Sequence, residues 1–453
     1  MSSFSSKLGV LLAAAGSAVG LGSIWKFPYV VGENGGGAFI ILYLVCSLIL
    51  GLPLVTNEFL IGKLSGKTIY GSFRALTGSN RWQWLSWLTI LTSMLITSFY
   101  FVVTGWCFFY MVQAAMGTFA GMDANALSEF FYTFEGEPVQ MISYAVIAIL
   151  LTASVLWFDV NKGIERLSKI LMPILFLMLI VMAGHMIFMD GGTTGLRFLF
   201  EPDFSKITTR AVLEAVGLSF FTLSIGLGIL VTYGSYMPKE QETASDGQKE
   251  NVLTTSLQMI LLVLVVSLLA GMIVFPAVFA FGLSPAEGPE LTFVTLPEVF
   301  LHMFSPTLTS VSFFALMSVA AITSTISMME VMVAFVREAS EDTKCPLNRH
   351  QSVIIVAVIQ VITNTLCVLS MTGAVSGLTV MGQNLFDAAN NLTTDILIPL
   401  GAMGIAVFAG WFLPKNDYNG SNVIAQIHQF TLRWIVPIAI ITIFLKTMKV
   451  FYL

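Results

Sequence analysis

Eleven stretches of this chain are long and apolar enough to cross a bilayer: residues 8–32, 38–62, 86–117, 139–157, 166–189, 211–237, 251–282, 307–336, 350–370, 387–413 and 429–451. A span takes about 20 apolar residues, so these runs occupy more than half of the 453 residues. Backbone polar groups in hydrocarbon must be bonded within their own element, and the alternation of a barrel strand is absent, so each run reads as a helix. The composition agrees. The chain is 56% apolar and only 10% charged, against about 25% charged in soluble domains. That excludes a water-soluble enzyme and a disordered chain. The net charge of −5 without a basic stripe excludes a nucleic-acid partner. The four histidines are scattered and the four cysteines follow no metal or disulfide spacing, so no catalytic or metal cluster is expected and all four thiols read as free. The first run is too long and too rich in glycine to be a cleavable leader. The expected architecture is a single all-α transmembrane domain over residues 1–453.

Lys and Arg set the orientation. The loop after the second run holds Lys63, Lys67, Arg74 and Arg81 with no acid, whereas the loop after the third holds Asp123, Glu129, Glu135 and Glu137 with no base. Placing the first loop in the cytoplasm puts fifteen basic residues inside, Lys239, Lys249 and Lys415 among them, and five outside. The N-terminus is then cytoplasmic and, with eleven spans, the C-terminus external.

Two runs look interrupted. The first carries Gly16-Ser-Ala-Val-Gly-Leu-Gly-Ser23 and the sixth carries Ser219-Phe-Phe-Thr-Leu-Ser-Ile-Gly-Leu-Gly228. Glycines and hydroxyls in mid-membrane at matching places of two halves are a mark of a transporter site. Spacing alone leaves a second reading open, close helix packing through the Gly16–Gly20 pair. Unwound backbone frees carbonyls, which with Ser and Thr hydroxyls suit a hard cation, and helix N-termini suit a carboxylate. Glu58, in the middle of the second run, is costly in lipid. It reads either as an acceptor for donors freed in a broken helix or as a tolerated, protonated carboxyl.

At these residues the chain resembles the neurotransmitter:sodium symporters. The likeness rests on Ala14 to Pro28 (AAGSAVGLGSIWKFP), Glu33 to Phe39 (ENGGGAF), Phe220 to Gly228 (FFTLSIGLG), Lys162 to Arg166 (KGIER) and Ala320 to Ser324 (AAITS). It runs from about residue 7 to the C-terminus, and eleven helices resemble the bacterial hydrophobic-amino-acid branch. It implies two inverted five-helix repeats, here 8–189 and 211–413, an additional C-terminal helix at 429–451, and a site between broken helices 1 and 6.

Carried over residue by residue, the resemblance implies a sodium site of five oxygens: carbonyls of Gly16, Val19 and Ala320 and hydroxyls of Thr323 and Ser324. It implies a substrate pocket of Leu21, Gly22, Ile96, Tyr100, Phe220, Phe221, Thr222, Ser224, Leu227, Ser324 and Met328. In that pocket the Tyr100 hydroxyl and the Leu21 and Gly22 N–H groups hold a carboxylate, and Phe221 with Tyr100 forms the lid. Gly20 stands where monoamine transporters of the family carry an aspartate, which favours a substrate bearing its own carboxylate. Ile96, Leu227 and Met328 make an apolar subsite, and Met adapts its shape. Gly163 and Pro173 match a family feature at the inner end of helix 5 that lets the helix unwind toward the ion site.

Three departures stand out. The second sodium site of the family maps to the Ala18 carbonyl, Ser23 and Thr222, but its helix-7 ligand falls on Val263, so this site is expected to be weak or absent. At the outer gate the usual Arg is Lys26 and its acid partner is Asn390, with Asp387 one turn earlier as a substitute acid. At the inner gate the usual Arg is vacated or falls at Met1, Phe4 stands for the usual Trp near Ser235-Tyr236, and Glu338 sits at the acid's place. Ser267 falls where chloride-dependent relatives keep a serine, without their neighbouring polar groups. The expected activity is sodium-coupled import of a neutral hydrophobic or aromatic amino acid. Alternatives are a sodium-independent or proton-coupled carrier on the same fold and a non-transporting amino-acid sensor.

Overall fold

A computed structural model describes residues 3–189, 192–237, 252–282, 291–303, 305–341, 343–375, 377–413 and 422–451. Met1, Lys239, Lys249 and Lys415, used above, lie outside them. Nine helices among the described residues are long and apolar enough to cross a membrane. They are α2 (Gly37–Ser65), α3 (Asn80–Ala115), α4 (Pro138–Leu156), α5 (Asn161–Ile187), α7 (Val252–Ala280), α8 (Pro306–Ser340), α9 (Arg349–Met371), α10 (Leu385–Phe412) and α11 (Gln426–Leu445). A bent pair, Lys7–Ala18 and Gly22–Glu33, crossing at 49°, makes α1. Thr209–Thr222 and Ile229–Ser235, parted by residues 223–228, make α6. The eleven apolar runs thus each correspond to a helix or a helix pair, and the two that carry several glycines together with hydroxyls in mid-run are the two that break.

Local chemistry explains the ends. Ser6 caps α1 by accepting from the Gly9 N–H, Thr208 caps α6 through the Ala211 N–H, and Asn348 with Gln351 forms a reciprocal capping box on α9. Pro at the first positions of α4 and α8 needs no hydrogen bond there. Helix α2 ends at Gly66 in the left-handed region, φ 61°. Sequence periodicity missed the short connectors Ile69–Thr77, Ala124–Glu135 and Gly192–Phe200, because their apolar stripes are too brief to stand out between long runs. It also missed a hairpin that pairs Thr379 with Asn384 and Val380 with Gln383.

The second half of α6, Ile229–Ser235, lies directly on α2. A Cβ at Gly62 would stand 1.9 Å from the Val231 carbonyl oxygen, and one at Gly234 would stand 2.3 Å from that of Phe59. Only glycine allows that backbone-to-backbone approach, the small-residue packing that substitutes for a hydrophobic drive between helices in lipid. The broken segments of α1 and α6 are thereby held in the core against α3 and α8.

Candidate functional site in the broken helices

Helical backbone in α1 stops at Val19, where ψ is 69°, and resumes through a wide turn, Gly22–Lys26. In α6 the break runs through Ser224, Gly226 and Gly228, all at positive φ (55°, 77° and 74°). Ser224 is a non-glycine residue in the left-handed region, a strained conformation of the kind that gathers at binding sites. The two breaks face each other, with the Ser17 and Ser224 hydroxyls 3.5 Å apart.

Glu58 lies fully buried, and its Oε1 accepts the Gly226 N–H at 2.8 Å. A carboxylate on α2 therefore satisfies a donor released by the break in α6.

Tyr100 on α3 comes to the α1 break from the other side, its hydroxyl accepting the Leu21 N–H at 2.8 Å. Gly20 is enclosed there. A Cβ on it would meet the Ser324 Oγ at 2.0 Å and the Tyr100 hydroxyl at 2.5 Å. Gly22 lies under the Phe221 ring, 3.0 Å from where its Cβ would be. A cavity of about 110 Å³ opens above, lined by Leu21, Lys26, Tyr100, Phe221, Asp387 and Asn390 together with Trp25, Tyr29, Phe99, Val103, Trp106 and Phe386. The last six residues were not singled out from the sequence. The signal available for them was the density of aromatics in these segments, which any buried helix shares. Ile96, Phe220, Leu227 and Met328 are buried, and Thr222 and Ser224 lie buried in and beside the α6 break.

Beside this pocket, oxygens from α1 and α8 converge. The Ser324 Oγ donates to the Ser17 carbonyl at 2.8 Å and lies 3.5 Å from that of Gly16, and the Thr323 Oγ1 donates to the Ala320 carbonyl at 2.9 Å. The Thr323 Cβ is 3.5 Å from where a Gly16 Cβ would stand. These are neutral oxygens only. Among the described residues no group of His, Cys, Asp and Glu has a geometry for a metal.

The second oxygen cluster is different. The Ser23 Oγ donates to the Ala18 carbonyl at 3.3 Å. The Thr222 hydroxyl donates to the Leu218 carbonyl at 2.9 Å and lies 2.9 Å from the Tyr43 hydroxyl, while Val263 is fully buried. Tyr43 also lies 3.4 Å from the Ser267 Oγ. Ser267 therefore has one polar neighbour, the Tyr43 hydroxyl brought to it by α2, and Tyr43 in turn links it to Thr222 on α6.

The gates also correct the sequence reading. The Lys26 Nζ sits 4.5 Å over the Phe221 ring, and the acids whose charges reach it are Asp395 and Glu214. Asp387 accepts instead from the Asn384 side-chain amide, and its own N–H donates to the Asn384 Oδ1, since Asn384 is the cap of α10 and holds the carboxylate at the helix start. At the end of the molecule that holds the N-terminal segment, Phe4 is 2% exposed. Its N–H donates to the Tyr236 carbonyl at 2.9 Å, and its ring packs on Tyr233 and Tyr236 at 5.5 and 6.3 Å. Glu338 accepts from the Thr68 N–H and hydroxyl and pairs with Lys67 at 3.6 Å, so the loop after α2 takes the partner role expected of the N-terminus. A second acid, Glu330, was not foreseen. Both its oxygens bind Arg349, at 3.0 and 2.8 Å, and its Oε1 accepts the Tyr236 hydroxyl at 2.8 Å. Gly163 lies in the wide turn Asn161–Glu165 at the start of α5, its Cβ position 2.4 Å from the Val155 carbonyl, and Pro173 lies inside the helix.

Comparison with known proteins agrees with this arrangement. The model of the sodium:neurotransmitter symporter family matches residues 1–126 and 136–452. An uncharacterized sodium-dependent transporter of Bacillus subtilis (strain 168), YhdH, is 36% identical over 451 residues, covering 98% of this chain and 97% of the relative. One from Haemophilus influenzae is 30% identical over 466 residues, covering 98% of both. The crystal structure of MhsT in complex with L-phenylalanine superposes with a TM-score of 0.88 at 36% identity, over 98% of this chain and 99% of that one. By the match of the family model over nearly its whole length and by its identity to these transporters, this chain belongs to the sodium:neurotransmitter symporter family of membrane transporters.

Proposed function

We propose that the chain imports a neutral hydrophobic or aromatic amino acid with sodium, by alternating access across the cytoplasmic membrane, with its N-terminus in the cytoplasm and its C-terminus outside. The observation that carries this reading is the adjacency of two unlike sites around Ser324. Its hydroxyl reaches the Ser17 and Gly16 carbonyls and also borders Gly20 and Tyr100. A cation held by Gly16, Val19, Ala320, Thr323 and Ser324 then shares a side chain with the pocket that takes the substrate carboxylate, and each ligand raises the affinity of the other by the same factor. The absence of a side chain at Gly20 leaves the carboxylate to the substrate. The L-phenylalanine held by MhsT supports an aromatic or large apolar amino acid. On this reading residues 8–189 and 211–413 are the inverted repeats of one transporter domain, with 429–451 an added helix. Closure from outside is by Phe221 and Tyr100 and from inside by Phe4.

Uptake into proteoliposomes tests it. Competition by a panel of the twenty amino acids should leave only large apolar and aromatic ones effective, and uptake should vanish without sodium. Sodium-independent uptake would favour a proton-coupled carrier or exchanger, and binding without flux a sensor. Because Val263 offers no oxygen and Ser23 reaches less far than an Asn would, we expect one firmly held sodium, and sodium-dependence curves should give a Hill coefficient near one. A value near two overturns the single-site assignment.

Pro173 leaves one carbonyl of α5 without its helical donor. Pro173→Ala restores that bond and is expected to slow inner opening several-fold at unchanged substrate affinity. Single-molecule fluorescence across the inner face measures it, and an unchanged opening rate refutes the role.

A further inference from the structure

The Glu165 carboxyl is 1% exposed, yet it faces neither the pocket nor the oxygen clusters. Four donors converge on it: the Ser5 N–H at 2.6 Å, the Ser5 hydroxyl at 2.7 Å, the Ser6 hydroxyl at 2.8 Å and the Lys169 ammonium at 2.6 Å. Three of the four come from the N-terminal segment, about 160 residues away in sequence. Hydrogen bonds to a charged acceptor are worth roughly twice neutral ones. Lys169, one turn along α5, offsets the charge, so the carboxylate is both neutralised and saturated.

Both ends of this contact belong to elements with a second task. Ser6 is the cap of α1, and the hydroxyl that donates to Glu165 also accepts the Gly9 N–H at 3.1 Å. Gly9 completes the fit, since a Cβ there would stand 2.3 Å from the Glu165 Oε1. One residue before Ser5, Phe4 plugs the space beside Tyr233 and Tyr236. On the other side, Glu165 closes the wide turn Asn161–Glu165, in which its own N–H reaches back to the Val160 carbonyl at 2.9 Å and the Gly163 N–H to that of Asp159 at 2.7 Å. Glu165 thus cannot leave its place in that turn without releasing Ser5 and Ser6, and those two cannot move without stripping it of three donors.

We infer that Glu165 is the catch of the inner gate, a positioning residue that joins release of the Phe4 plug and unwinding at the start of α5 into one event. This rests on the reading of α5 as the helix that unwinds. A sodium path opened only by α5 stays covered by Phe4, and one opened only by the N-terminus stays covered by α5. A single catch makes the gate two-state, where two separate latches give half-open forms.

Hydrogen–deuterium exchange on the full chain in nanodiscs, read on peptides covering residues 3–12 and 156–168, tests the coupling. In sodium-free wild type both segments should open together, with sodium slowing both. Ser5→Ala changes no atom of α5 and removes no cap, yet exchange at 161–168 should rise roughly tenfold, the size of losing a hydrogen bond to a charged group. Glu165→Gln should raise both segments by at least that much, and Gly9→Ala, which displaces the carboxylate, should resemble it. An unchanged 161–168 segment in Ser5→Ala refutes the catch, as does a sodium-free wild type in which 161–168 opens while 3–12 stays protected. If neither segment opens in sodium-free wild type, it is the unwinding of α5 itself that fails, and the catch with it.

Discussion

Arg349→Ala should destabilise the protein by about 3–5 kcal/mol, the cost of leaving a buried charge without its partner. Glu330 is fully buried in the lower part of α8, and Arg349 grips it with both terminal nitrogens. The same guanidinium donates through Nε to the Leu156 and Phe158 carbonyls, at 2.9 and 2.8 Å, where α4 ends. Removing it therefore strands a carboxylate and two carbonyls and leaves Glu330 only the Tyr236 hydroxyl. The thermal unfolding midpoint in detergent should fall by roughly 5 °C or more. Since Tyr236 also holds the Phe4 N–H, cysteines placed along the inner face should label faster. Adding Glu330→Gln to Arg349→Ala should recover most of the loss, because the stranded charge rather than the missing contact is the main penalty. A single Arg349→Ala variant as stable as wild type, with unchanged labelling, would sink this account.

The second large effect concerns Gly20. Its missing Cβ would occupy space held by the Ser324 Oγ and the Tyr100 hydroxyl, at 2.0 and 2.5 Å, so Gly20→Ala forces at least one of two buried polar side chains aside. Overpacking of this kind costs about 1–3 kcal/mol. Here the displaced groups are those proposed to hold the substrate carboxylate and the sodium, so amino-acid affinity should fall roughly a hundredfold. Scintillation-proximity binding at saturating sodium measures it, with size-exclusion profiles confirming the fold. Wild-type affinity in Gly20→Ala would remove the carboxylate from this end of the pocket.

The spans were legible because bilayer thickness dictates a length that few other demands impose, and the two breaks because glycines clustered with hydroxyls recur at matching places of the two halves. The pocket was legible only through resemblance. Tyr100 and Phe221, which line the cavity, and Met328, which is buried away from its lining, occupy apolar runs where nothing in the spacing separates the two kinds. The inner network shows what spacing hides. Glu330 sits near the end of the apolar run 307–336, where a lone acid calls for a partner, but its partner lies nineteen residues on, past a turn, and the third member, Tyr236, is on another helix. Glu165 was visible inside KGIER, yet its donors Ser5 and Ser6 lie in a polar N-terminus that no periodicity marks. Lys26 misled in the opposite way. One-turn spacing pointed to Asp387, whereas the fold turns that carboxylate toward Asn384 and leaves Lys26 to Phe221 and more distant acids.

The bare backbone at Gly20 bears on how steeply the protein can concentrate its cargo. Under the proposed function, in which a zwitterionic amino acid enters without net charge and a single sodium accompanies it, one positive charge moves inward per cycle. A membrane potential of about 100 mV contributes about 2.3 kcal/mol to that charge, and a tenfold sodium gradient adds about 1.4 kcal/mol. Together they set a ceiling near a five-hundredfold accumulation. Collapsing the voltage alone should lower that ceiling to about tenfold, which makes the voltage the larger of the two drives under that coupling.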